Sequence, residues 1–459
     1  MLPHVFGADL GGGAVAGKPG GTVFPRGLAL WMTAIYIGLF IIRPWEQLFP
    51  VLATFRFERV YGICLTACVV LGPGLRFAPT LQNWAVAAWT GAIGLCAALA
   101  WNTAVSGDDY YVFLTTVVCY LALVSSVRTP YALIFMVVAY VGAMEAYLGK
   151  ALWEFYVHGQ HMYDRGAGVV RLVGIESTFG NHNKLAASIV ESLPFWLVLW
   201  HFRGTVTQDW PAKYRRAFVL AMGLYPILGV WSVILTNSRS GIVNLAVFLA
   251  LSAMRKGNVL RLAWKVAATI AILAVGWLVL PDATRNRVQS LWDTTAGTED
   301  DRESAEGRMQ GFWVGLEMFS HRPLTGVGPG NFTQYRASHL DGAPFNAHNQ
   351  VAQMLGESGV LGAGTFLIVV LSILVGCATT RSLARGAADP TLRFLSGLAV
   401  ACCHSLVLLF VEGIGGHNYY RYNWLWLAAF SMLAAQFAAQ IPGMRIGEPA
   451  DDPRQQTLT

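Results

Sequence analysis

Charge is scarce in this sequence. Of 459 residues only 13% are Asp, Glu, Lys or Arg, against 55% hydrophobic ones. That is too little charge to cover the water-facing surface of a soluble protein of this size. Cysteine is equally uninformative as a scaffold: Cys64, Cys68, Cys96, Cys119, Cys377, Cys402 and Cys403 all lie inside apolar runs, with no C-x-x-C, so neither a disulfide framework nor a zinc site is expected. No P-loop and no Asp-x-Asp pair suited to a metal-held sugar nucleotide are present. The net charge of +6 comes without a basic groove interleaved with aromatics, so no nucleic-acid partner is expected. The first 24 residues are glycine-rich and lack the basic, apolar, small-residue order of a cleavable signal.

What the chain has instead is long apolar runs, each near the ~20 residues that cross a bilayer as a helix. They fall at 27–42, 60–74, 81–101, 110–127, 131–148, 185–202, 217–235, 241–254, 262–280, 360–378, 394–411 and 424–441. The expected fold is therefore all-α: a polytopic integral membrane protein of about twelve transmembrane helices, with lipids as its surroundings. Three short connections carry the basic residues Arg203, Lys213, Arg215 and Arg216, then Arg255, Lys256, Arg261 and Lys265, then Arg381, Arg385 and Arg393. They fall on one side, which the positive-inside bias makes cytoplasmic. Residues 1–24 and 442–459 are then cytoplasmic tails, 25–280 hold helices 1–9, 360–441 hold helices 10–12, and the polar loops at 149–184 and 281–359 face outward. The stretch 43–59 runs against this scheme, since three arginines land outside; either the first two spans are misread or a function holds the arginines there.

The loop at 281–359 is far longer than an ordinary connection of about 4 to 6 residues, so it needs its own structure. Met309, Phe312, Trp313, Leu316 and Phe319 recur at helical spacing, which predicts an amphipathic helix over 308–320 at the membrane surface. A second short helix over 348–357 would lead into the tenth span.

The outward loops concentrate polar groups on a greasy protein: Arg165, Arg171, Asn181, His182, Asn183 and Lys184; Arg239 in Asn-Ser-Arg-Ser-Gly; and Arg308, His321, Arg322, Arg336, His339, His348 and Asn349. Several cations at membrane level suit a diphosphate, because guanidinium forks bind phosphate oxygens in bidentate fashion. Arg239 stands between two short apolar runs, where a cation is expensive without an anionic partner. Contact with substrate and snorkelling to lipid phosphates both answer that cost. His348 could take a proton from a hydroxyl near neutral pH, although a lone loop histidine is more often solvated or capping. Gly326 to Gly330 could cradle a phosphate or only make a turn. Glu145 and Glu191 read as proton relays or, more simply, as partners for outward arginines.

The order Ser238-Arg-Ser-Gly241 between two spans, Arg308 with Trp313, His321-Arg-Pro-Leu-Thr-Gly-Val-Gly328, Asn331-Phe332, His348-Asn349 and Gly356-Glu-Ser-Gly-Val-Leu-Gly362 resembles the O-antigen ligase family, which shares its core with O-antigen polymerases and bacterial protein O-oligosaccharyltransferases. By motif the resemblance covers 174–362. It implies a metal-independent, inverting glycosyltransferase without cofactors, on the periplasmic side of the bacterial inner membrane. Its donor would be a glycan on undecaprenyl diphosphate and its acceptor a sugar hydroxyl of the lipid A core. Arg239 and Arg308 match arginines to which the family assigns the donor diphosphate, and His348 matches the base. Arg171 and Lys184 join the diphosphate group by charge and location; Arg322, Asn349 and Arg165 are accessory candidates. A polymerase would use the same donor, and a lipid or glycan transporter is the reading from another class.

Overall fold

The structure, a computed structural model, describes residues 25–46, 48–164, 168–174, 179–254, 285, 289 and 299–441. The N-terminal half runs α1 (Leu28–Ile42), α2 (Val51–Thr54), α3 (Phe57–Leu71), α4 (Leu81–Ala98), α5 (Thr103–Ser126) and α6 (Pro130–Val157). A short hairpin of β1 (Met162–Asp164) and β2 (Val169–Arg171) follows, then α7 (His182–His201), α8 (Arg203–Val206), α9 (Ala212–Thr236) and α10 (Arg239–Ala253). The last part holds α11 (Glu299–His321), α12 (Phe332–His339), α13 (Gln350–Leu383), α14 (Pro390–Gly415) and α15 (Asn423–Gln440). The chain is an all-α membrane protein: α5, α6, α9, α13 and α14 are long and apolar enough to cross a bilayer, and α1 and α10 are shorter apolar helices. The runs expected at 60–74, 81–101, 185–202 and 424–441 are helical as well. The expected ninth span at 262–280, both tails and Arg165 lie outside the described residues.

Local sequence sets the helix starts. Thr80, Asn102, Thr129, Asn181, Ser238, Asn349 and Asp389 each accept a backbone N–H of the following turn through the side chain, which satisfies a donor the helix leaves open. Pro130 and Pro390 occupy first-turn positions, where a missing N–H costs nothing. α6 passes the expected end at 148 and continues to Val157. Ala151, Leu152 and Glu154 remain buried on one face while Trp153, Tyr156 and Val157 are exposed on the other, so Lys150 and Glu154 lower the hydropathy without breaking the helix.

α13 is the centre of the bundle, packed against α4, α11, α14 and α15. Trp89 on α4 donates from Nε1 to the Tyr419 hydroxyl at 3.1 Å, and Gln82 donates to the Ser372 carbonyl at 2.9 Å, so these polar side chains inside the bundle are paired, as hydrocarbon surroundings require. α7 forms a second focus, against α9, α10 and α14. In the stretch 43–59, Arg43 pairs with Glu46 at 2.8 Å and Glu58 at 3.0 Å.

The outer loop is built onto α13. The helix expected over 348–357 and the tenth span are one element, broken at Gly359 (φ 57, ψ −158). The N–H groups released at the break are not lost: Val360 donates to Pro323 O at 2.8 Å and Leu361 to Leu324 O at 3.1 Å. Gly326, Gly328 and Gly330 all have positive φ, at 64, 100 and 74°. A side chain on them would strike the backbone of Glu357 and Ser358, the Ala100 and Ser106 side chains, and the Asp109 carboxylate respectively. The N–H groups of Gly326, Val327 and Gly328 donate to the carbonyls of Arg322, Gly356 and Glu357. The segment is thus a wedged turn whose donors are spent, not a phosphate cradle.

α11 covers the helix expected over 308–320 and extends it. The face it packs is Gly311, Val314, Gly315 and Met318, with the two glycines close against Ala347 and Ala352. The apolar stripe read from the sequence is not that face: Met309 and Trp313 are each 61% exposed.

Candidate active site

Three helix N-termini converge beside this loop. Asn181 caps α7, Ser238 caps α10 and Asn349 caps α13. The first two are tied together, because the Ser238 hydroxyl donates to Asn183 Oδ1 at 2.6 Å while accepting from the Gly241 N–H at 3.1 Å. Asn237, which ends α9, takes the left-handed conformation (φ 50) and lets the chain turn within two residues into α10. Arg239 is thereby fixed as the first residue of α10.

Between these termini and α11 lies a cavity of about 400 Å³ lined by Arg171, His182, Asn183, Asn237, Arg239, Ser240, Gly307, Arg308, Phe345 and His348. Its size falls within the range of ordinary ligand sites. Arg171 is 3% exposed, and its guanidinium donates to His182 Nε2 at 2.7 Å. β2 holds it there through Leu172 N–H, which donates to Leu235 O on α9 at 2.8 Å. Arg308 lies on the first described turns of α11, with its guanidinium against Gly415 at the end of α14. Three guanidinium groups and the positive ends of helix dipoles therefore face one space, an arrangement suited to an anion.

His348 sits in the left-handed region, φ 45, a costly conformation for a non-glycine residue, directly before the Asn349 cap of α13. Burial first, then Arg308, Arg336 and Lys184, hold its imidazole below the ordinary histidine range. It is therefore neutral, and able to accept a proton, at neutral pH and somewhat below.

Of the sequence candidates, the cavity brings together Arg171, Arg239, Arg308 and His348. Lys184, on the first turn of α7, stands close enough to act on His348 electrostatically but does not line the cavity. Arg322 is placed elsewhere: its Nη1 donates to Leu99 O at 3.1 Å, fastening the end of α11 to the end of α4. Asn349 serves as the α13 cap and donates to Ile414 O at 3.1 Å. Arg336 is buried in an ion pair with Asp341 at 2.6 Å.

The connection between α14 and α15 carries groups that a hydropathy pattern does not single out. His417 packs edge to face on His348, ring centroids 5.3 Å apart. Arg421 forks onto Glu412 at 2.9 and 2.8 Å, donates to Ser188 on α7 at 2.6 Å and lies 3.5 Å from Glu191, which accepts from Asn423 at 2.6 Å. This buried network locks α7 to α14 and α15 under the cavity, and it is where Glu191 finds its arginine. The available signal in the sequence is a histidine and an arginine in a six-residue polar break, Gly416 to Arg421, between two apolar runs.

Among the described residues no group of three or more His, Cys, Asp or Glu converges as a metal site would. A larger cavity, about 1050 Å³, lies at the other end of the bundle between α1, α3, α6 and α8. It is mainly apolar, and its Arg128 already donates to the carbonyls of Ser125 and Pro73.

No curated protein matches the chain. Residues 224–367 match the family model described as O-Antigen ligase, a stretch that runs from within α9 to the first half of α13 and carries Arg239, Arg308 and His348, while Arg171, Lys184 and His417 lie outside it. Arg239, Arg308 and His348 of the cavity thus fall on matched residues, and residues 224–367 carry the domain of the O-antigen ligase family, which points to a glycosyltransferase of the ligase or polymerase type.

Proposed function

We propose that this protein is an O-antigen ligase that moves a glycan from undecaprenyl diphosphate to a sugar hydroxyl of the lipid A core. The observation that carries the reading is the single cavity shared by Arg171, Arg239, Arg308 and His348. The three arginines bind the donor diphosphate, with Lys184 adding charge nearby. His348 accepts the proton of the acceptor hydroxyl as its oxygen attacks the anomeric carbon from the side opposite the diphosphate. The new carbon–oxygen bond forms, the bond from that carbon to the phosphate oxygen breaks, and its electron pair leaves on undecaprenyl diphosphate; attack from the far side inverts the centre. Preorganised guanidinium groups meet the charge that develops on the leaving group, and stabilisation of this kind usually contributes most to the acceleration. A positioned base adds about 10² to 10⁴ in rate. Arginine supplies the positive charge, so the transfer proceeds without a metal.

The cavity lies at the end of α7 and α9 opposite the connection bearing Arg203, Lys213, Arg215 and Arg216. The positive-inside bias makes that connection cytoplasmic, which supports a periplasmic site; on this reading the protein lies in the inner membrane with twelve spans. The second reading is a polymerase: the same donor site would serve, with another lipid-linked glycan as acceptor.

The test is purified protein reconstituted with undecaprenyl-diphosphate-linked glycan and lipid A core, wild type beside His348→Ala, with and without chelator. Transfer to the core that survives chelation and falls at least about 10²-fold in the variant supports the ligase and its base. Lengthening of the lipid-linked glycan would make it a polymerase, and undiminished transfer by the variant would remove His348 as base.

A further inference from the structure

A general base is ordinarily oriented by a third group that holds its second ring nitrogen. Among the described residues no carboxylate bonds to His348 in that way: its ring neighbour is His417, at 5.3 Å between centroids and 67° between planes. His417 Nδ1 is buried and has no hydrogen-bond partner among the described residues. A buried nitrogen left so costs about 1 to 3 kcal/mol and calls for an explanation.

The surroundings do not relax to satisfy it. Asn418, the next residue, is buried and donates to Leu409 O at 2.8 Å and to Glu412 Oε2 at 3.0 Å, and Arg421 fixes the far end of the same turn on Glu412. The imidazole, its Nδ1 unpartnered, is held edge to face against the ring of His348. Burial, then Lys184, His348 and Arg421, push its pKa down to about 4, so it is a neutral ring at working pH.

Resting on the reading of His348 as the base, we propose that His417 is a positioning residue: its Nδ1 reaches the His348 ring through one bridging oxygen, from water or from a substrate hydroxyl, and fixes the orientation in which His348 takes the acceptor's proton. The two rings meet at 5.3 Å between centroids without a direct hydrogen bond among the described residues, which leaves a bridge to join them. Two hydrogen bonds of about 2.8 Å meeting at one oxygen span nitrogens that are too far apart to bond directly.

Two variants separate this role from a structural one. His417→Phe keeps the ring and removes the nitrogens, and with them the unsatisfied group. It should fold with a melting temperature no lower than wild type, yet show kcat reduced about ten- to hundredfold with donor KM unchanged. His417→Asn places an amide near the position of Nδ1 and should recover most of that loss. His348→Ala is assayed beside them. If it is inactive while His417→Phe turns over at the wild-type rate, His417 has no positioning role and the base reading stands. If His348→Ala is active, the base reading falls and takes this one with it. Equal loss in the Phe and Asn variants would also overturn the inference, since the nitrogen would then not be what matters.

Discussion

Gly241→Ala is a one-methyl perturbation that acts on the spacing of two helix N-termini. A Cβ at position 241 would stand 2.5 Å from the Ala186 Cβ, whereas carbon atoms in contact settle at about 3.5 to 4.0 Å. α7 and α10 must therefore separate locally by about 1 Å. Arg239 lies two residues before the new methyl, and His182 and Asn183 lie just before Ala186, so the gap opens between walls of the same cavity. Misplacement of about 1 Å costs on the order of 10²-fold in rate, while overpacking at a buried contact costs about 1 to 3 kcal/mol in stability. Transfer kinetics and melting temperature in detergent measure the two effects separately. Ala186→Gly removes the opposing methyl at about 1 kcal/mol of helix propensity, so the double variant should regain rate without regaining all of its stability. Gly241→Ala at the wild-type rate would refute the claim that transfer depends on where Arg239 stands. A loss that Ala186→Gly fails to repair would show that spacing is not its cause.

Arg308→Gln removes one of the charges that hold His348 low, so the His348 pKa rises toward the ordinary 6.5 or so. The acid limb of kcat/KM against pH should move upward as the rate falls; a limb that stays in place or moves down would contradict the assignment. Arg421→Met leaves Glu191 and Glu412, 1% and 8% exposed, facing each other without their shared cation. Breaking a buried pair in this way costs about 3 to 5 kcal/mol, which should appear as a large drop in melting temperature; an unchanged one would mean the network does not hold α7 to α14 and α15.

The elements most legible in the sequence are those that a single property defines. The apolar runs among the described residues become helices because about twenty unbroken hydrophobic residues have few other options in lipid, and Arg239 is conspicuous because a cation between two such runs is expensive. The packed side of α11 is hidden for a related reason. Its largest apolar residues form the obvious stripe, yet Gly311 and Gly315 are what allow close approach to Ala347 and Ala352, and small residues carry little weight in a hydrophobicity pattern. α13 reads as two helices because Gly359 interrupts it, while the carbonyls of Pro323 and Leu324 that complete the break lie far upstream in the chain. His417 and Arg421 give little signal because their meaning is tertiary: a seven-residue connection says nothing until α14 and α15 bring it against His348 and α7.

The contact between Gly311 and Ala347 bears on how the proposed chemistry could be retargeted. The Ala347 carbonyl lies where a Gly311 side chain would begin; Arg308 is one turn before that glycine, and His348 is the residue after that alanine. On the proposed mechanism, main chain pressed on main chain would thus set the separation between leaving-group binding at Arg308 and proton removal at His348. Phe345 stands outside that frame, 63% exposed at the wall of the cavity. Diversification toward new acceptor sugars has room at this rim, where substitutions change what is admitted while the reacting geometry is inherited intact.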